Sequence, residues 1–128
     1  MAENDHLAAV QHWIDLHNEG DLTAFGRCYT EDCEAAFMSA GSESYHGREA
    51  VRAWEAQLQK LLPGKAARLL SVIGEGERVS VQAVLHGTHP ETGPYEVHWC
   101  SILTFTGGMI SHEHVYLDPS QLPVPLPA

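Results

Sequence analysis

At 128 residues the chain has the length of one domain. Folding at that size removes roughly two-thirds of the unfolded surface from water, enough for a real core. Hydrophobic residues at 44% exclude wholesale disorder, and a net charge of −10 argues against a nucleic-acid or anionic-membrane partner, since both select basic patches. Met1 to Leu7 contains no basic region followed by an apolar run, so no signal peptide is expected. No apolar stretch approaches the roughly 20 residues of a membrane span. Cys28, Cys33 and Cys100 have no metal-ligand spacing and read as free thiols in a reducing, cytoplasmic compartment.

In chain order, residues 4–19 predict a helix capped by Asn4, with Leu7, Val10, Ile14 and His17 on one stripe and Ala9, Trp13 and Leu16 beside it. Gly20 stops it. Asp21 caps a shorter helix through about Tyr29. Cys33 to Ser39 is a short strand candidate, and His46-Gly47 punctuates the chain. Ala50, Val51, Trp54, Leu58, Leu61 and Leu62 recur at helical spacing over Arg48 to Leu62, and Pro63-Gly64 ends that helix. Four strand-like runs follow: 66–73, 79–87, 95–105 and 109–117. They are separated by turn residues at Gly74-Glu75-Gly76, at His89 to Pro94 and at Gly107-Gly108. The last ten residues hold four of the seven prolines and predict a tail, 119–128, that is extended against the body or frayed.

Helices followed by an antiparallel meander is an α+β order. The natural packing is a curved antiparallel sheet whose concave face holds the three N-terminal helices, closing into a cone with a pocket between helices and strands. No repeat or second domain is visible, so residues 1–128 read as a single domain.

Several segments in this order resemble one family. Asn18-Glu-Gly-Asp-Leu, Tyr29-Thr-Glu-Asp and Tyr45-His-Gly-Arg-Glu-Ala-Val51 look like the opening of the nuclear-transport-factor-2-like superfamily. Gly87-Thr-His89, Thr92-Gly93 and Gly108-Met-Ile-Ser-His-Glu-His-Val-Tyr-Leu-Asp118 resemble its SnoaL-like polyketide cyclase branch. The resemblance covers about residues 5–118. It implies a cone-shaped (cystatin-like) α+β barrel, usually dimeric, with a small-molecule pocket at the open end and no cofactor.

Fold does not set function, so the site residues decide. By the resemblance, the base and oxyanion-hole positions of ketosteroid isomerases fall on Phe37, Trp13 and Ser101, none of which does that work. The Asp-Arg-Asp positions of limonene-epoxide hydrolases fall on Leu85, Ala83 and Val115, all apolar. Polyketide cyclases are similar in placing an acid/base carboxylate on the final strand, and here that is Glu113. The histidine expected on the neighbouring strand is replaced in the inward register by Trp99 and Ser101.

Side chains alternate faces along a strand. The resemblance turns Trp99, Ser101 and Leu103 inward, together with Ser111, Glu113, Val115 and Leu117. A three-residue loop, Thr106-Gly107-Gly108, would pair Phe105 with Met109, Leu103 with Ser111, Ser101 with Glu113 and Trp99 with Val115, in agreement with those faces. A two-residue turn would mismatch them. The expected pocket holds Glu113 as acid/base among Trp13, Phe37, Trp99, Ser101, Leu103, Val115 and Leu117, with Tyr29 and Tyr45 at its rim. An acid so placed is expected to have a raised pKa, and the wall is suited to an apolar or aromatic ligand. The alternative is a non-catalytic ligand-binding or partner-binding module, in which Glu113 only fixes the sheet.

His112 and His114 share the opposite face, with His98 and, in one reading, His86. Zinc ligands must converge at about 2.0–2.1 Å, which a row along a gently curved face does not achieve. No metal site is expected. These histidines read as part of a homodimer contact on the convex face, which predicts a pH-sensitive dimer. His12 and His17 read as surface or rim, Trp54 as core, and Asp118 as the anchor of the turn after the last strand.

Overall fold

The computed structural model describes residues 3–38 and 44–125. Three α-helices and six strands follow in the order α1 (Glu3–Glu19), α2 (Leu22–Gly26), β1 (Tyr29–Phe37), β2 (Ser44–His46), α3 (Arg48–Leu61), β3 (Ala66–Glu75), β4 (Arg78–His89), β5 (Gly93–Thr106) and β6 (Met109–Leu117), and a 3-10 turn spans Pro119–Gln121. The strands form one curved sheet ordered β2-β1-β6-β5-β4-β3, with β2 and β3 as its edges. This is the expected α+β cone. Two features differ from an antiparallel meander. The three-residue β2 escaped the sequence reading, and β1 runs parallel to β6. Ser39, the expected end of the first strand, lies outside the described residues.

The helices form for ordinary reasons. In α1, His6, Val10, Trp13, Ile14 and His17 recur at spacings of three and four, and the first four are buried. The stripe is rotated from the expected one, because Leu7 is 51% exposed while His6 is 2% exposed. The helix starts at Glu3, one residue ahead of the expected cap. Asp21 caps α2 as expected, accepting from the Ala24 N–H at 3.0 Å. That helix stops at Gly26 rather than Tyr29, because β6 recruits the following backbone: the Ile110 N–H donates to the Cys28 carbonyl at 2.7 Å. Asn18 ties α1 to β3. Its amide accepts from the Ala67 N–H at 2.6 Å and donates to the Ala67 carbonyl at 2.9 Å, so one side chain imitates a ladder rung.

The strand pairings stack inward side chains in rows across the sheet. One row runs Ala35, Glu113, Leu103, Val79 and the next runs Phe37, Val115, Ser101, Val81. Beyond them lie Leu117, Trp99 and Ala83. The predicted faces therefore hold from Glu113 to Leu117, but the predicted hairpin register does not, nor do the faces of Ile110 and Ser111. Gly107 and Gly108 form a two-residue turn with φ of 60° and 82°, the left-handed pair that such a hairpin demands, and Thr106 pairs with Met109. A bulge at Ser111 then adds one residue to β6, since Thr104 pairs with His112 but Phe105 with Ile110. Ser101 therefore faces Val115, Leu103 faces Glu113 and Trp99 faces Leu117. Ile110 turns inward at 1% exposure, while Ser111, expected inward, spends its hydroxyl on the Thr104 carbonyl at 3.2 Å.

Val10, Trp13, Ile14 and Phe25 pack on Val79, Val81, Leu103 and Phe105 in the main core. A second cluster joins Leu58 of α3 and Leu62, just beyond it, to Leu85 and Val97, and Leu122 and Val124 of the tail pack against it. Each such fully buried aliphatic side chain contributes roughly 1.5–3 kcal/mol. The tail is thus docked as far as it is described, through Pro125. Asp118 anchors it as expected, accepting from the Ser120 N–H at 3.0 Å and the Ser120 hydroxyl at 2.7 Å.

Candidate functional site

Between helices and sheet lies a cavity of about 100 Å³, within the range that takes up a single benzene-sized ring. All three tryptophans line it, with Phe25, Phe37, Tyr29 and Tyr45. Seven of the chain's ten aromatic residues thus surround one space. The rings pack on one another: Phe37 lies 4.6 Å from Trp54 and Phe25 lies 5.5 Å from Tyr29, centroid to centroid. Ala35, Val51, Leu58, Leu85, Val115 and Leu117 complete the apolar wall, and among the described residues Glu113, Glu55 and His17 add titratable groups beside the tyrosines.

Glu113 is 7% exposed at the middle of the sheet. Its Oε1 accepts from the Tyr29 hydroxyl at 2.6 Å and its Oε2 from the Ser101 hydroxyl at 3.0 Å. The Trp13 indole donates to the Tyr29 oxygen at 3.1 Å, and the Trp99 indole donates to the Ser101 oxygen at 3.2 Å. An indole N–H can only donate. Both hydroxyl oxygens therefore accept from tryptophan, and both hydroxyl protons point at the carboxylate. Two relays run one way and converge on Glu113. With its inner partners committed as donors, a proton on Glu113 has no acceptor among them, and Glu113 itself lines the cavity.

Burial pushes the Glu113 carboxyl above the usual carboxylate range; the Tyr29 and Ser101 hydrogen bonds oppose the shift, and the charge of Glu55 reinforces it. Burial, with the neighbouring Glu113 charge, likewise raises the Tyr29 hydroxyl well above its ordinary value, so Tyr29 remains a donor. The Tyr29 backbone is itself pinned. Arg48, at the start of α3, donates to the Tyr29 carbonyl from Nε at 3.0 Å and from the terminal nitrogen at 2.7 Å. That carbonyl sits where the β1–β6 register breaks between Tyr29 and Glu34.

Of the residues singled out in the sequence, Trp13, Tyr29, Phe37, Tyr45, Trp99, Glu113, Val115 and Leu117 come together around the cavity. Tyr29 is at its buried heart, 1% exposed, rather than at the rim. Ser101 and Leu103 are fully buried and sit behind the wall, Ser101 as partner to Glu113 and Leu103 in the core. Trp54 packs against the second core cluster, as read, and also lines the cavity. His17, read as surface or rim, also lines it, and so does Glu55, which the sequence reading passed over. The signal for Glu55 was present: Val51, Glu55, Leu58 and Leu62 share one helical stripe, and a carboxylate inside such a stripe is buried unless the helix is misplaced. On the outer face His112 and His114 occupy successive rows, opposite Thr104 and Ile102, and the row of Cys100 separates them from His98. No group of three or more histidine, cysteine or acidic residues that could hold a metal ion occurs among the described residues.

The family model of the SnoaL-like domain matches residues 10–113. The chain belongs to the SnoaL-like family. It is thereby a member of the SnoaL branch of the nuclear-transport-factor-2-like superfamily, in agreement with the sequence motifs. Solved structures share its fold. A protein with a ketosteroid isomerase-like fold from Catenulispora acidiphila, determined in complex with trimethylamine, is 20% identical, with 92% of this chain and 94% of that one covered at a TM-score of 0.80. The epoxide hydrolase/cyclase-like enzyme SalBIII, with a role in pyran ring formation in the polyether salinomycin, is 19% identical, with 93% and 95% covered at 0.80. A SnoaL-like polyketide cyclase from Jannaschia is 21% identical, with 91% and 87% covered at 0.75. No curated protein matches the sequence. At these identities the likeness establishes the fold, while the chemistry rests on the side chains of this SnoaL-like chain. No helix among the described residues is long and apolar enough to cross a membrane.

Proposed function

We propose that this SnoaL-like protein catalyses a cofactor-free isomerisation or cyclisation of a small, largely apolar substrate, with Glu113 as the acid/base. The observation that carries the reading is the pair of one-way relays ending on a buried carboxylate. The raised pKa keeps Glu113 able to hold a proton nearer neutrality, where acid/base work is most efficient. Glu113 lines the cavity, so it can deliver a proton to a ligand oxygen and recover one from a neighbouring carbon. When it ionises, Tyr29 and Ser101 are already oriented to hold the charge, with no reorganisation required. Such proton traffic involves no net oxidation and requires no cofactor. The aromatic wall supports a flat apolar ligand.

One observation favours the rival reading of a ligand carrier: each Glu113 oxygen already has a hydrogen-bond partner, as a purely structural carboxylate would. Proton exchange separates the two. In heavy water, the wild-type protein is expected to accelerate loss of the α-protons of a panel of small cyclic ketones, followed by NMR, and Glu113→Gln to fall to background. Binding of those ketones to both forms with no exchange by either would refute catalysis.

We also propose that the protein is a cytoplasmic homodimer joined through the outer sheet face, where His98, His112, His114 and Tyr116 are exposed. Sedimentation is expected to show a dimer that a charge placed on this face, as in Tyr116→Glu, dissociates; a monomeric wild type would refute it.

A further inference from the structure

The cavity wall holds a second buried carboxylate that the chemistry above leaves idle. Glu55 lies on the inward stripe of α3 between Val51 and Leu58 and is 3% exposed. Lys65, just beyond α3, donates from Nζ to Glu55 Oε1 and also, at 2.9 Å, to His17 Nε2. His17 Nδ1 faces the same Glu55 oxygen at 3.5 Å. Because Nε2 accepts from the lysine, the ring proton resides on Nδ1, on the side of the ring nearer Glu55. Burial, helped by the charge of Lys65, holds the imidazole neutral. Oε1 is held by Lys65. Oε2 accepts no hydrogen bond from the described residues, although Glu55 and His17 both line the cavity.

A buried ion pair is a poor way to stabilise a fold, since apolar residues of the same volume do as well or better. Two polar side chains on the helix side of a largely apolar wall, backed by a buried lysine, therefore need a use other than stability. We propose that Glu55 is a second ligand-binding residue, whose Oε2 accepts a hydrogen bond from a ligand hydroxyl while Lys65 and His17 position it. The pocket then has two poles. The helix wall offers an acceptor, Glu55, and the sheet wall offers a proton, on Glu113. The ligand class that satisfies both is a hydroxy-carbonyl compound: a ring or short chain with a hydroxyl at one end and a carbonyl or ether oxygen at the other. This rests on Glu113 being the proton-bearing group of the pocket.

Two probes test it by calorimetric titration. 4-Hydroxyacetophenone carries both groups, and 4-methoxyacetophenone keeps the carbonyl but cannot donate. The wild-type protein is expected to bind the hydroxyl probe at least about tenfold more tightly, the scale of one hydrogen bond to a charged acceptor. In the double variant Glu55→Met with Lys65→Met, no charge is left unpaired, and circular dichroism reports folding. There the preference is expected to fall to about one, the two probes then differing only in the size of the methyl group. A wild-type preference near one, no binding of either probe, or a preference that survives in the double variant would overturn the proposal. In Glu113→Gln the hydroxyl preference should persist while both probes bind more weakly. If both probes bind Glu113→Gln as they bind the wild type, the role of Glu113 fails and that of Glu55 stands.

Discussion

Replacing His17 by Phe should remove a built-in sensitivity to acid. His17 titrates at about 3 in the folded chain against 6.5 for a free imidazole, chiefly because its burial disfavours the charged ring and secondarily because Lys65 repels it. Its side chain is 12% exposed, so solvent screens it little. The folded pKa is depressed below the unfolded one. Between about 3 and 6.5 the unfolded chain therefore binds the extra proton, and stability from this residue is present above 6.5 and is lost as the pH falls. From pH 7 to pH 4 the window crossed is about 2.5 units, which at about 1.4 kcal/mol per unit sets a ceiling of about 3 kcal/mol. Glu113 and Glu55 act in the opposite sense. Burial raises both, so their folded forms hold protons longer and gain relative stability as the pH falls toward the ordinary carboxylate range. The raw acid curve mixes these contributions, and the difference between wild type and His17→Phe isolates the histidine. Urea unfolding followed by circular dichroism at pH 7, 5.5 and 4 gives that difference. The stability of the wild type relative to the variant should fall steadily, by up to about 3 kcal/mol. A difference that stays constant to within about 0.5 kcal/mol would show that the ring is not buried neutral beside Lys65, since surface changes lie in that range.

Trp13→Phe keeps the ring and deletes the donor to Tyr29; the expected loss is about 1 kcal/mol in urea unfolding, with weaker proton exchange by Glu113 if the relay orients Tyr29. Asn18→Ala removes both bonds to Ala67 and should cost about 1–3 kcal/mol, with the Ala67 amide exchanging faster in hydrogen-exchange NMR. Gly74→Ala would place a methyl 2.1 Å from His6 Nδ1 and eject that ring from its 2.7 Å contact with the Gly76 carbonyl. A loss of about 1–3 kcal/mol is expected, largely relieved when His6→Ala is added, which a double-mutant cycle would read as coupling between the two sites.

The parts of the molecule legible in the sequence are those where one period dominates. β6 begins and ends where its alternation does, at Met109 and Leu117, and α3 follows its apolar stripe to within one residue. Glu113 was visible because alternation, anchored on the family resemblance, turns it inward. Tyr29 was misread because it stands four residues after Phe25, a helical spacing, while its backbone is claimed by a partner 81 positions away in sequence, Ile110. Local pattern carries no information about such a partner. The Glu55, Lys65 and His17 cluster was hidden for a similar reason. Its members come from α3, from the loop after it and from α1, and each alone reads as a solvated polar residue. Gly74 looked like a turn glycine, yet it lies within β3 because His6 packs where its side chain would be.

The two-residue turn at Gly107-Gly108 and the bulge at Ser111 act together as a parity device. A tight turn alone would turn every later side chain of β6 to the wrong side of the sheet, and one surplus residue turns them back. Which carboxylate or imidazole looks into the cavity thus depends on the bulge absorbing one residue before Glu113. Paired regularly behind the same two-residue turn, Ser111 would face Thr104 and Glu113 would face Ile102, exchanging a proton-bearing pocket for a histidine-lined one. Deleting Ser111 would instead straighten the ladder and leave Glu113 opposite Leu103, so a deletion at the bulge is tolerable where an insertion further along the strand is not.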